Sequence, residues 1–430
     1  MTTPAATGRA SWARRIAIAL VVVLGLLAVG FVAVRRQLRD GNDFPLYWQA
    51  ARALVSGRSP YDVLSGLHGY VYLPWFALLL GPLGALPLRT AVACWYALNL
   101  LFTWFAGRSL RVALGTAGLT PSPWLLLLAT LPLAGLFHDN LVLGQANLFL
   151  LWLIALSLRA ALAPSRAGLA REAAGGFAAA LKMPAGLLVL PLVLRARWRG
   201  VVMFVVAGAL AVALPFAVAG PAGGARELRD WREKVLAPAV AGTLQGSKII
   251  DQSPHAGLRR LLVAEPAFGD TRVNVASLTP AAFSRVSRAV AVLLLAGYLT
   301  VWLLAPARAT PAALLVDLSL ACCAMVQVTG FNLKAQFVLL LLPAWTAAAL
   351  AWGGGRPRRA RVLLVSAAAL FLLSYPDLVG RTTANWLLAY SSMAIGTLLL
   401  AAALVRQRFA LAMPSPSGAP AAARAPGTAP

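Results

Sequence analysis

The sequence predicts an all-α polytopic membrane protein, and three observations carry that expectation. Hydrophobic residues fill 60% of the 430 positions, charged residues only 12%, and the apolar residues gather in runs that approach the ~20 residues a spanning helix needs. Such a chain has too little polar surface to fold as a soluble globule. Its formal net charge of +25 is carried mainly by arginines in short loops, a pattern of membrane topology and anionic-lipid contact rather than of nucleic-acid binding. Cys322 and Cys323 are adjacent inside one apolar run and Cys94 lies in another, so there is neither a disulfide framework nor a metal-ligand spacing.

About twelve spanning or half-spanning helices are expected. The first, Ile16 to Val34, has a longer apolar run than a signal peptide and is followed by Arg35, Arg36 and Arg39 rather than a small-residue cleavage site. It reads as an anchor behind a cytoplasmic N-terminus, 1–15. Leu73 to Leu86 is interrupted by Gly81, Pro82 and Gly84 and reaches only about 21 Å as a helix, so a re-entrant or half-length segment is expected between Leu73 and Phe137. Ala91 to Trp104, Trp124 to Phe137 and Leu148 to Leu158 follow. Ala173 to Leu194 has arginines on both sides, Arg159, Arg166 and Arg171 before it and Arg195, Arg197 and Arg199 after it. The positive-inside rule places both flanks on one face, so this segment reads as a hairpin bent at Lys182, Met183 and Pro184, with Lys182 at its tip or deep in the fold.

Val201 to Val218, Ala289 to Leu304, Ala312 to Val328, Phe337 to Trp352, Val362 to Leu373 and Leu387 to Val405 complete a transmembrane domain over 16–405. The same rule puts His138 to Asn147, the long loop Gly220 to Ser284, Asn332 to Gln336 and Tyr375 to Arg381 on the outer face; the loop 35–72, where three arginines on each side of the first helix give no charge bias, is expected there as well. The Ala/Pro/Gly/Ser tract 406–430 reads as a disordered cytoplasmic tail.

Chemistry concentrates in the outer loops. Between Asp40 and Asp62, Phe44, Tyr47, Trp48, Ala51, Leu54 and Val55 recur at helical spacing, which predicts an amphipathic interfacial helix capped by Asp43 and stopped at Gly57. Asp43 reads both as that cap and as a general base at the lipid–water boundary. His138, Asp139, Asn140, Gln145 and Asn147 gather at a helix junction, where amide groups either satisfy broken helix ends or bind hydroxyls. Ser253 and Pro254 predict an N-cap and first turn, with Arg259 and Arg260 one turn on as a phosphate site or as snorkelling cations. Lys182, Lys334 and Asp317 are charges inside apolar segments, where burial requires a partner.

Five blocks occur in order: DFPLYWQAARALVSGRSPYD, YVYLPWFALLLGPLGALP, LGQANLFLLWLIAL, GGFAAALKMPAGLLVLPLVLRARW and DQSPHAGLRRLL. Together, from about Asp43 to Pro343, they resemble glycosyltransferase family 87, which includes polyprenol-phosphate-mannose-dependent mannosyltransferases. The resemblance implies a C-type glycosyltransferase fold and an inverting transfer of a hexose, mannose foremost, from a polyprenyl-phosphate sugar to a lipid or glycan acceptor outside the cytoplasmic membrane. It implies no metal and no cofactor. By motif position the catalytic carboxylate falls on Asp43. Tyr47, Arg58, His138, Asp139, Gln145, Asn147, Lys182, Asp251, Gln252, Arg259, Arg260 and Lys334 are the candidate substrate-binding residues, with membrane lipids as further partners. The chain departs from the family pattern at Asp251, where an Asn is usual, and at Lys334, where a neutral side chain or His is expected. The competing reading is a transporter or flippase of a lipid-linked or small polar substrate, although no inverted repeat of broken helices is evident.

Overall fold

The computed structural model describes residues 25, 27–38, 42–65, 68–162, 169–241, 248–305, 310–353 and 358–411. Within them the regular structure is helical apart from two short paired strands, β1 (Leu64–Ser65) and β2 (His68–Gly69). After a helical stretch at 27–37 come α1 (Asp43–Val55), α2 (Pro74–Leu79), α3 (Gly81–Gly84), α4 (Leu88–Thr116), α5 (Pro123–Thr130), α6 (Ala134–Leu143) and α7 (Asn147–Leu162). The chain continues through α8 (Leu169–Leu181), α9 (Val189–Leu194), α10 (Trp198–Trp231), α11 (Ala237–Ala241), α12 (Pro254–Leu262), α13 (Pro280–Leu304) and α14 (Pro311–Gln327). It ends with α15 (Leu341–Trp352), α16 (Arg358–Leu372), α17 (Pro376–Val379), α18 (Arg381–Ala389) and α19 (Ser392–Ala410).

Among the described residues six helices are long and apolar enough to cross a bilayer, with shorter apolar helices at Asn147–Leu162, Met183–Leu194 and Pro311–Gln327. The architecture is therefore that of a multi-pass membrane protein. The segment from Leu73 to Leu86 does not cross: it breaks into α2 and α3, because Pro82 cannot donate a helix hydrogen bond and the preceding glycine adds no stiffness. Ala173 to Leu194 bends where expected. Lys182 is extended (φ −138°, ψ 113°) between α8 and a 3₁₀ turn, Met183–Leu188, and Glu172 at the start of α8 pairs at 3.0 Å with Arg199 beyond the end of α9, closing the hairpin.

Other boundaries move for tertiary reasons. α10 runs past the expected loop start at Gly220, which survives as a kink at φ 71° and ψ 173° that a Cβ would strain; Pro221 restarts the helix. The last apolar run is two helices rather than one, parted by Ser391 in the left-handed region. The break is bonded from elsewhere: Gln252 Nε2 donates to the Leu388 carbonyl at 2.8 Å and Arg260 Nε to that of Ala389 at 2.9 Å. α19 also continues to Ala410, so residues 406–410 belong to the bundle and not to a disordered tail. Their reason is Arg408, which is 1% exposed and reaches Asp317.

Contacts sort the connections into two sets, one at each end of the bundle. At one end Lys334 pairs with Asp139 at 3.3 Å and lies 4.6 Å from the Tyr375 ring centroid, and Asp251 bridges to Leu333. Ser59 there donates to Asp230 at 2.6 Å, and Lys234 meets Asp62 at 2.6 Å. The five regions expected on the outer face thus meet one another. At the other end Asp317 takes Arg195 at 2.9 Å and Arg408 at 2.8 Å, which supplies the partners its sequence position demanded. With the first end outside the cell, a Cys at Val275, which is 80% exposed in the 220–284 loop, reacts with an impermeant thiol reagent in intact cells. Labelling only after lysis inverts the threading.

Candidate active site

α1 forms as its periodicity predicts, but its apolar face is spent on the protein: Phe44, Leu46, Tyr47, Ala50 and Ala51 are buried against α2, α3 and α4. Asp43 is not the cap. Asn42 holds the N-cap position, with no side-chain capping bond, and Asp43 occupies the first turn, where the helix dipole favours a carboxylate. Gly57, in the left-handed region at φ 73°, ends the helix; there the amide of the exposed Arg58 donates to Ala53 O at 2.9 Å.

The start of α1 is held against the α6–α7 junction. Phe44 stacks on Trp95 with ring centroids 5.3 Å apart, and Trp95 Nε1 donates to Gly144 O at 2.8 Å. Gly144 closes α6 in the left-handed region at φ 69°, and a Cβ there would lie 2.7 Å from Phe44 Cβ. Gly144→Ala is therefore expected to cost about 1–3 kcal/mol in backbone strain alone and to lower the thermal midpoint of the purified protein. An unchanged midpoint means the junction relaxes freely.

This junction sets out the polar centre. Asn147, fully buried at the start of α7, donates to Gln145 Oε1 at 2.6 Å and accepts from Lys182 Nζ at 2.7 Å. Lys182 Nζ also lies 6.0 Å from the Tyr72 ring centroid. Tyr72 in turn shares a hydroxyl hydrogen bond of 3.0 Å with Tyr47, and Tyr61 donates to its carbonyl at 2.8 Å. The Asp43 carboxylate is close enough for its charge to act on Lys182, Tyr47 and Tyr72. Burial, with the Asp43 charge adding to it, pushes the Tyr47 and Tyr72 phenols above their ordinary value, so both stay protonated donors. One carboxylate, one lysine and two protonated phenols thus converge where the bundle's end meets the first loop.

Of the sequence candidates, Asp43, Tyr47, Gln145, Asn147 and Lys182 come together here. Asp139 and Lys334 form a second pair, with His138 Nδ1 at 3.8 Å from Asp139. The third group serves the fold. Asp251 Oδ1 accepts from the Ser253 and Asn332 amides at 2.9 and 3.0 Å, and Ser253 caps α12 as predicted. Gln252 binds the Ile249 and Leu388 carbonyls. Arg260 is wholly buried and donates to the carbonyls of Lys248, Asp251 and Ala389 and to Ser391 Oγ. Burial brings its guanidinium down to about 10, with Asp251 opposing the shift. Arg259 turns the other way, to Glu265 at 2.5 Å. The expected pair of guanidiniums at a helix start is not formed, because burial of Arg260 demands carbonyl partners. Tyr72 was missed by the sequence reading; the signal was YVY at 70–72, whose two tyrosines share one side of an extended segment and come just before α2.

These features define a multi-pass, all-helical membrane protein with a carboxylate and a lysine at one end of its bundle. The sequence profile of glycosyltransferase family 87 matches residues 70–330, more than half of the chain, and the chain belongs to that family. Asp43 precedes the matched residues, so its place in the centre rests on geometry. No curated protein matches the chain. Among solved structures it is similar to the crystal structure of ArnT from Cupriavidus metallidurans bound to undecaprenyl phosphate, at 15% identity and a TM-score of 0.41, over 91% of this chain and 77% of that one.

Proposed function

We propose that this glycosyltransferase moves a hexose, mannose foremost, from a polyprenyl-phosphate sugar to a lipid or glycan acceptor at the extracytoplasmic face, with Asp43 as general base. The observation that carries this reading is the convergence of Asp43 with Lys182 and the Tyr47–Tyr72 pair. The acceptor hydroxyl gives its proton to Asp43 as its oxygen bonds to the anomeric carbon. The bond from that carbon to the phosphate oxygen breaks on the opposite side, and its electron pair leaves with the phosphate. A positive group set where that charge grows lowers the barrier, and in this reading Lys182 is that group.

In this reading Asn147 holds Lys182 in position rather than contacting sugar hydroxyls, because its amide donates to Gln145 Oε1 and its oxygen accepts from the ammonium. Asp62, the competing carboxylate, is tied to Lys234. The test is transfer from radiolabelled polyprenyl-phosphate hexoses in membranes containing the wild-type protein or Asp43→Asn. Product from the wild type alone supports the assignment. Equal product from both removes Asp43 from the chemistry, and no product from any donor favours a transporter.

A further inference from the structure

A cavity of about 280 Å³ opens at the end of the bundle opposite Asp43, between α7, the start of α8 and the turn that joins α9 to α10. Ser157, Ala160 and Ala161 give it one face of α7, and Glu172, Arg197 and Arg199 bring its charges. The turn sorts those charges. Ala196 stands in the left-handed region at φ 51°, and the amides of Ala196 and Arg197 donate back to Val193 O at 3.0 Å and Leu192 O at 2.8 Å. Arginines follow at alternate positions. Arg195 turns inward to Asp317 at 2.9 Å, and Arg199 meets the buried Glu172 at 3.0 Å. Arg197, between them, lines the cavity half-buried, and among the described residues no carboxylate meets it. The hydroxyl of Ser157, a buried residue of the α7 wall, likewise has no hydrogen-bond partner among them. Two such groups in one cavity call for a polar occupant.

Charge and donor chemistry narrow that occupant. Two guanidiniums against one carboxylate leave the lining with one positive charge, which suits a monoanion and disfavours an added ammonium. Glu172 can only accept hydrogen bonds and Ser157 can donate or accept, so the occupant also presents hydroxyls. A phosphodiester that carries a polyol meets both demands, with its phosphate on Arg197. The volume falls just below the ~300–1,000 Å³ of pockets for drug-sized molecules, so it admits a headgroup and not acyl chains. The surface beside it takes those. Trp198 at the mouth is 60% exposed, and Val202, Val205 and Val206 continue one exposed apolar face of α10, a helix long enough to cross the bilayer. An exposed tryptophan at the start of such a helix marks headgroup level. We infer that this cavity receives the headgroup of a phosphatidylglycerol-type lipid, phosphate on Arg197 and glycerol hydroxyls on Ser157 and Glu172, with its acyl chains along α10. The lipid lies in the leaflet away from Asp43, and the inference is independent of the proposed chemistry.

The test is native mass spectrometry of the full chain in detergent, titrated with phosphatidylglycerol. Expected is one lipid held above the statistical background, about tenfold more tightly than phosphatidylethanolamine. Arg197→Gln is expected to weaken it about tenfold, as for removal of one charge-assisted hydrogen bond, and Ala161→Phe, which fills the cavity, to abolish it. Arg111→Gln removes an exposed arginine of α4 outside the cavity and is expected to change nothing. Equal affinity for phosphatidylethanolamine or phosphatidic acid overturns the inference, as does equal weakening in Arg111→Gln. Displacement of the lipid by an equal concentration of sn-glycerol 3-phosphate makes the cavity a site for a soluble phosphoester and overturns the lipid assignment. Thermal midpoints report folding, and should Arg197→Gln not fold, unchanged binding in a folded Ala161→Phe protein still overturns it. Asp43→Asn is expected to hold the lipid as the wild type does, so loss of this site leaves the catalytic reading standing.

Discussion

Asp43→Asn is expected to lose about 10² to 10⁴ in the rate of sugar transfer, the range a positioned base contributes, while the protein folds and binds donor as before. The substitution keeps the size of the side chain and its place in the first turn of α1, and removes only the proton acceptor. Folding is spared because the start of α1 is fixed by Phe44 on Trp95 and by Gly144 beneath it rather than by a capping bond from Asp43. The measurement is single-turnover transfer at saturating donor, with the thermal midpoint recorded beside it. A rate within a few fold of wild type moves the base elsewhere. A large fall in the midpoint makes Asp43 a structural residue instead.

The largest effect on stability is expected at the other end of the bundle. Asp317 is fully buried on α14 and takes Arg195 Nε on one oxygen and Arg408 Nε on the other, while Trp302 Nε1 donates to its carbonyl at 3.2 Å. The carboxylate thereby ties the ends of α9 and α19 to α14, and the backbone carbonyl ties α13. Asp317→Asn leaves two guanidiniums facing each other with no counter-charge, and breaking a buried pair from one side costs about 3–5 kcal/mol. Replacing all three charged residues together, with Leu at 317 and Met at 195 and 408, is expected to recover most of that loss, since an apolar triad of similar volume carries no desolvation cost. Thermal unfolding in detergent measures both. An Asp317→Asn protein that melts with the wild type makes the triad energetically silent.

Much of the fold was legible because its signals are local. Apolar run lengths, arginines flanking the Lys182 hairpin, and the Ser253–Pro254 helix start each need only neighbouring residues to act. Places where the reading moved depend on distant partners. α19 extends through Arg408 because Asp317 lies ninety-one residues before it in the chain, and the run beginning at Leu387 splits because Gln252 and Arg260 occupy its carbonyls. Neither partner leaves a trace in local periodicity.

The centre follows the same division. Composition and periodicity by themselves determined that this chain is a bundle of apolar helices with its carboxylates, Asp317 apart, gathered in or beside a few connecting segments, because hydrocarbon excludes unpaired charge. They also marked Asp43 and Lys182 as residues in want of a role. Only the tertiary structure decided that Asn147 links Lys182 to Gln145, that Tyr72 joins Tyr47 beside Asp43, and that Arg260 is spent on carbonyls within the fold. The physical reason is that a charge or amide is assigned by which partners reach it within hydrogen-bonding distance, and those partners come from segments that only the packed bundle brings together.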